Sequence, residues 1–280
     1  MEFYENEPVS LYLNNLDLLE EIVSEKQHIC MFQHPMLGKV LVINDEVQHI
    51  EKFQLLYHEM LVHLPIAFVP NVRNVLILGG GSLFAAFEAL KYSSVEHVVL
   101  CDYDKNVLDL MCKYYSHANS VIDDNRFEFI EQDAKDYISN FKPLFDLVIN
   151  DCFNLAKESQ NNNCSYHSML SQLCRKNGVC VDIIYRHIFD RSTTINTLKY
   201  LQAEGGLALS LVCVPEYPGI LHLETIWGKS HSISQKLKKP VNHIQFEMCS
   251  SPNTLFNYYN PNNIPAYLYL PPYIKEMFNL

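Results

Sequence analysis

The chain is predicted to be an α/β protein: a twisted, mostly parallel sheet with helices on both faces, preceded by a small β-domain. Three observations predict it. From about residue 74 onward, short apolar runs alternate with helical patterns. The first of those runs ends in three consecutive glycines, Gly79, Gly80 and Gly81. Residues 1–50 instead hold β-rich segments broken by turn residues. Strand–helix–strand repetition implies parallel pairing, because a crossover helix returns the chain to the same edge.

In chain order, HICMFQH and KVLVINDEVQHI are β-rich, and the stretch from Pro35 to Gly38 supplies a turn between them. Residues 51–68 carry Leu55, Met60, Leu61 and Leu64 at helical intervals, and Pro65 is expected to end that pattern. NVLILGGG then reads as a buried strand running into a glycine turn, and SLFAAFEALKY as a helix. HVVLCDYD is a second strand and NVLDLMCKYYS a helix. RFEFIEQDA and FDLVINDCF follow as strands, SMLSQLCRK as a helix and GVCVDIIYR as a fifth strand. ALSLVCVPEY and ILHLETIWGK read as an antiparallel pair at the sheet edge. The division expected is an N-terminal β-domain over 1–50 and a catalytic domain over 51–280.

Composition narrows the function. With 280 residues, 48% hydrophobic and 19% charged, the chain can bury one large core with a small appendage. A formal net charge of −11 argues against a nucleic-acid surface, which needs clustered Lys and Arg. It suits solubility or a cationic substrate. Nine cysteines, an odd number without a CxxC, read as reduced thiols of a cytoplasmic protein. The opening MEFYENEPVS has neither the basic nor the apolar region of a signal peptide, and no apolar run approaches the ~18 residues of a membrane span. No metal site is expected.

The glycine turn brings backbone close to a ligand, which glycine alone permits without a Cβ clash. Asp102 ends the next strand, about 20 residues on, where an acid accepts from ribose hydroxyls. Phe84 fills the third position of a GxGxxG pattern. Its bulk is expected to leave less room for a pyrophosphate and to favour a nucleoside without phosphates. The bland alternative is a tight turn with no ligand. Asp133 and Ala134 follow the third strand and either present a carboxylate and an N–H to an adenine or cap the AKDYI helix. Asp151, in VINDCFN, ends the fourth strand and either faces the ligand or is again a helix cap. All these acids fall at the carboxyl edge of the sheet, where open α/β folds bind ligands. The expected class is a Rossmann-like, methyltransferase-type sheet.

At this point the sequence resembles the spermidine synthase family, the polyamine aminopropyltransferases, over nearly its whole length. LGKVLVINDEVQ resembles the family's FGxVLxLDGVVQ, and YHEMLVHLPI its YHEMLxHLPL. DLVINDCFN stands where the family has DVIISDSTD, and the C-terminal FNYYNPNNIPAYLYLPPYIKE is similar to YYNxDIHRAAFALPxYV. The resemblance implies transfer of the aminopropyl group of decarboxylated S-adenosylmethionine to putrescine or a related amine, with methylthioadenosine as the leaving product and no tightly bound cofactor. It assigns ribose binding to Gln27 and Asp102 and adenine contacts to Asp133 and Ala134. It makes Asp151 the catalytic base, assisted by Tyr57, with His58 beside the acceptor and Tyr217 lining the acceptor tunnel. It also implies a homodimer, often formed through the β-domain and C-terminal parts.

The departures concentrate at the amine site. The family's GGGDGG is GGGSLF here, so Ser82 replaces an aspartate that receives the aminopropyl ammonium. Asn154 and Leu155 replace a second aspartate and its following proline, and Ile183, beside Asp182, replaces a glutamine. Each lost carboxylate removes a charge-assisted hydrogen bond worth about 1.5–3 kcal/mol. Glu158, Asp182 and Glu216 are the candidates to compensate. Ser82 also removes a charge that repels the carboxylate of ordinary S-adenosylmethionine, so a methyltransferase is one alternative and a non-catalytic nucleoside-binding relic another. The polar loop from Phe153 to Ser168 reads as a gate over the substrate or as a plain crossover.

Overall fold

The strand NVLILG, β7 (Asn74–Gly79), is buried at every position from Val75 to Gly79. A parallel strand covered on both faces has that pattern. Val75 and Ile77 face one core, Leu76 and Leu78 the other. In the computed structural model, residues 3–4, 11–139, 144–152, 165–187, 191–218, 220–228, 233 and 256–280 are described. Around β7 lie β8 (His97–Asp102), β9 (Phe127–Glu131), β10 (Phe145–Asp151), β11 (Cys174–His187), β12 (Gly206–Val212) and β13 (Ile220–Gly228). They form a seven-stranded sheet in the order β12-β13-β11-β10-β7-β8-β9. The five strands from β11 to β9 are parallel, and β13 pairs antiparallel with both β11 and β12.

The order reverses at β7: the chain moves outward through β8 and β9, then returns to the other side of β7 as β10. The helix after β7, α2 (Phe84–Leu90), packs on one face together with α3 (Lys105–Tyr114) and α4 (Ser116–Ile122). The opposite face is covered by α5 (Ala134–Ser139), α6 (Ser165–Leu173) and α7 (Arg191–Glu204). Chains leaving β7 and β10 for opposite faces open a crevice at their carboxyl ends. Helices α4 and α7 stand where the sequence reading assigns no element; α7 contributes Leu198 and Leu201 to its core.

A second sheet, β3 (Asp17–Val23), β4 (His28–His34), β5 (Gly38–Ile43) and β6 (Glu46–Ile50), is an antiparallel meander. Asn44 and Asp45 turn β5 into β6 with φ of 51° and 62°. Two left-handed residues match the twist of the flanking strands. A short two-stranded pair, β1 (Phe3–Tyr4) with β2 (Tyr12–Leu13), precedes it. The meander is packed on both faces: Cys30, Phe32, Val40 and Val42 form a core of their own, whereas Ile29, Met31 and Leu41 join the main one.

Helix α1 (Gln54–Ile66) lies against that main core and is buried from His58 through Ile66. Pro65 corrects the expected boundary, for it sits inside the last turn. A proline there forfeits only one intrahelical bond near an end that has spare carbonyls in any case. Glu59, fully buried, accepts from the backbone N–H groups of Asn257, Tyr258 and Tyr259 at 2.7–2.8 Å. It ties the C-terminal segment to α1, ahead of α8 (Ile264–Tyr267) and α9 (Pro272–Phe278).

Candidate active site

Asp151 and Gly79 are direct partners in the β10–β7 ladder, at the point where the strand order reverses. Both Gly79 and Gly80 are left-handed, with φ of 75° and 74°. A Cβ on Gly79 would meet the Asp151 carbonyl oxygen at 2.7 Å, and one on Gly80 the Asp151 Oδ2 at 2.9 Å. The turn therefore needs glycine for two reasons, backbone conformation and room for Asp151. Phe84 lies off this turn and packs inward, stacked on His117 at 3.8 Å between ring centroids. Its side chain is not on the cavity wall, so the expected steric bar to a pyrophosphate does not come from it.

The crevice is a cavity of about 680 Å³. Its wall includes Gln27, Tyr57, His58, Gly79, Gly80, Gly81, and also Ser82, Asp102, Asp133, Ala134, Asp151 and Tyr217. Residues distant in sequence and singled out from it thus converge on one space. Asn154 lies outside the described residues, as does most of the expected gate, 153–164. The last part of that segment, from Ser165, is the first turn of α6.

At one end stand the groups suited to a nucleoside. The β3–β4 turn docks on the β8–α3 loop: Ser24 Oγ donates to Asp104 Oδ2 at 3.0 Å, and Lys26 Nζ donates to the Tyr103 carbonyl. The same Ser24 Oγ accepts from the Gln27 N–H at 2.9 Å, fixing Gln27 at the cavity wall. Gln27 Oε1 is buried and has no hydrogen-bond partner among the described residues, an arrangement that leaves it able to accept from a ligand hydroxyl. Asp102 accepts from the N–H groups of Gly81 and Asp104 at 3.2 and 3.1 Å. Burial raises its carboxyl above the ordinary value, against the lowering effect of those N–H groups. Asp133 Oδ1 accepts from the Lys135 N–H at 2.8 Å, so it caps α5 while also lining the cavity. The capping reading holds, and the same residue stands on the cavity wall.

In the middle, the Tyr57 hydroxyl donates to Asp151 Oδ1 at 2.6 Å. Asp151 opens onto the cavity but lies deep in the molecule. Burial pushes its carboxyl up to about 7, opposed by the Tyr57 hydrogen bond and reinforced by Asp102 and Asp182. Tyr57 is held well above the usual phenol range, first by burial and then by Asp151. It stays protonated and donates.

Asp182 pairs in register with Asn150, one residue before Asp151. Its Oδ1 accepts from Asn150 Nδ2 at 3.1 Å and its Oδ2 lies 3.2 Å from His167 Nε2. At the other end of the cavity, His58 Nδ1 donates to the Gln54 carbonyl at 2.8 Å. Burial brings His58 down to about 4 and His49 well below its ordinary value, so both rings are neutral at neutral pH. Six acids line the cavity (Glu46, Asp102, Asp133, Asp151, Asp182 and Glu216) against one lysine, Lys135. Such a wall suits a cation and disfavours an anion.

Sequence reasoning did not single out Gln54, His49 or His222, which also line the space. Gln54 stands three residues before Tyr57 on the same helix, a spacing that was open to view. His222 reaches the cavity only because β13 pairs with β11, which no local signal discloses.

Known proteins show the same architecture. Residues 54–237 match the spermine/spermidine synthase domain family. A polyamine aminopropyltransferase of Buchnera aphidicola is 29% identical over 98% of this chain and 97% of its own length. One from Thermoanaerobacter is 28% identical over 99% and 98% respectively, and one from Thermotoga neapolitana is 35% identical over 54% and 51%. Two solved structures superpose with TM-scores of 0.79 at 26% identity, each covering 99% of this chain and 93% of the other. They are a spermidine synthase from Thermotoga maritima and a spermidine synthase in complex with the transition-state analogue AdoDATO. With the matched domain spanning most of its length and its cavity built at the reversal point of the sheet, this chain belongs to the spermine/spermidine synthase family.

Proposed function

We propose that the chain transfers the aminopropyl group of decarboxylated S-adenosylmethionine to an amine, giving a spermidine-type polyamine and methylthioadenosine. The observation that carries this reading is the Tyr57–Asp151 pair at the turn of Gly79 and Gly80, in an acid-lined cavity. Gln27, Asp102, Asp133 and Ala134 hold the nucleoside. The donor's sulfonium is already a good leaving group, so the protein mainly positions the reactants.

The acceptor arrives as an ammonium, attracted by Asp151. It must lose a proton before its nitrogen attacks the methylene carbon bonded to sulfur. Asp151 accepts that proton, the C–N bond forms, and the C–S electron pair leaves with the sulfur. A carboxyl raised to about 7 is a stronger base than an ordinary aspartate and is still substantially ionised at neutral pH. Tyr57 holds one carboxylate oxygen and leaves the other for the amine. The acids facing this space oppose the carboxylate of undecarboxylated S-adenosylmethionine even with Ser82 in place of an aspartate.

The meander of residues 1–50 serves as the smaller domain beside a catalytic domain of 51–280. A homodimer through this smaller domain is supported by edge strand β3, where Val23 is 79% exposed and Leu18 and Leu19 are also exposed. A reducing, cytoplasmic setting is supported by the buried thiols of Cys30 and Cys101, neither of which is in a disulfide among the described residues. No helix among the described residues is long and apolar enough to cross a membrane.

The test is product analysis with either donor and a panel of diamines and polyamines. Methylthioadenosine and an aminopropylated amine are expected from the decarboxylated donor. Methyl transfer from S-adenosylmethionine, or methylthioadenosine binding without turnover of either donor, would overturn the reading.

A further inference from the structure

The amine end of the cavity holds a carboxylate that the transfer step does not use. Glu216, on the connection between β12 and β13, is only 5% exposed and lines the cavity. Its Oε1 accepts from the Ile50 N–H at 3.2 Å, and no Lys, Arg or His among the described residues pairs with it. Ile50 ends β6, and Gln54 opens α1 just beyond. Gln54 Oε1 and His49 Nε2 are both buried, both belong to residues on the cavity wall, and both lack hydrogen-bond partners among the described residues. The Glu216 carboxylate, Gln54 Oε1 and His49 Nε2 thus lie on the cavity wall around the β6–α1 junction. A buried carboxylate lacking a cation, beside polar atoms with no partner among the described residues, is costly unless a ligand supplies the missing charge. These groups come from different elements than Gln27, Asp102 and Asp133, so they are separate from the nucleoside end. Asp182 is not equivalent, because Asn150 and His167 already occupy both of its oxygens.

We propose that Glu216, flanked by Gln54 and His49, seats a second ammonium group of the acceptor and selects amines that carry one. The acceptor is then a primary amine at Asp151 with at least one further cationic nitrogen reaching Glu216. This rests on the aminopropyltransferase reading above. It places a selecting charge on the β12–β13 connection, next to Tyr217, in a chain where Asn154 stands in place of the relatives' second aspartate.

The test compares putrescine with butylamine, which have equal carbon chains and differ in one ammonium, using decarboxylated S-adenosylmethionine and methylthioadenosine release. The intact protein is expected to favour putrescine. Glu216→Gln keeps the shape and an acceptor for Ile50, and should lower kcat/KM for putrescine about tenfold to a hundredfold, mostly through KM. For butylamine it should change kcat/KM less than about threefold, since that amine has no second cation to lose. Should the glutamine variant fail to fold, Glu216→Thr gives the same readout with a smaller side chain. An equal fall for both amines, or an unchanged preference, overturns the Glu216 seat alone. No methylthioadenosine from any amine with the intact protein overturns the reading beneath it instead.

Discussion

Replacing Tyr57 with phenylalanine tests how the protein sets the basicity of Asp151. The substitution removes a 2.6 Å hydrogen bond to Asp151 Oδ1 and leaves the burial and the neighbouring Asp102 and Asp182 in place. Hydrogen bonds to a charged group contribute about 1.5–3 kcal/mol, which corresponds to about one to two pKa units. Burial has already carried Asp151 up to about 7 against the pull of Tyr57. Without that pull its midpoint should rise to about 8–9. At pH 7 the ionised fraction would fall from about one half to between about 1% and 10%, an activity loss of roughly five- to fiftyfold. The loss should largely vanish near pH 9.5, where the carboxyl ionises again. The assay is kcat/KM from pH 5.5 to 9.5, followed by methylthioadenosine release. Protonation of the free amine affects both proteins alike, so the ratio of the two profiles isolates the enzyme's own group. A loss of equal size at every pH would refute this account of Tyr57 and make it a purely steric support.

Two further predictions concern the frame of the site. Glu59→Ala should destabilise the protein by about 3–5 kcal/mol in denaturant unfolding, because it strands three backbone N–H groups now bonded at 2.7–2.8 Å; a change below about 1 kcal/mol would show that residues 257–259 find other partners. Glu224, on β13, is fully buried with neither carboxylate oxygen bonded among the described residues, and burial holds it well above its ordinary value. The native state therefore keeps a proton that the unfolded chain gives up, and stability falls by about 1.4 kcal/mol per pH unit from the unfolded midpoint up to the native one. Glu224→Gln should remove that slope, gaining over the parent as pH rises from 5 to 8; a stability difference independent of pH would contradict it.

The legible part of the site is the part set by strand ends. Gly79, Asp102, Asp133 and Asp151 each follow an apolar run, and apolar runs mark where parallel strands stop. The glycine turn was legible for the same reason, although the sequence does not disclose that a Cβ on Gly79 or Gly80 would meet Asp151. Strand β3 was not legible: none of its residues is buried, so DLLEEIV lacks a burial alternation to read. Helix α7 was missed because RSTTINTLKYLQAE is polar on most positions and earns its place by packing Leu198 and Leu201. Glu216 could be named as a candidate but not placed. Its direction depends on the β12–β13 connection reaching Ile50, 166 residues away in sequence. Pro65 misled because a proline's cost depends on its distance from the helix end, which the residue itself does not disclose.

The most direct measurement is transfer and binding by Asp151→Asn alongside the intact protein. With decarboxylated S-adenosylmethionine and the preferred diamine, the intact protein should release methylthioadenosine, and the variant should be slower by about 10²–10⁴-fold, the range of a general base. Methylthioadenosine affinity should stay within a few-fold, because Gln27, Asp102 and Asp133 are untouched. Comparable loss of transfer and of nucleoside binding would contradict the account and make Asp151 a structural support of the glycine turn.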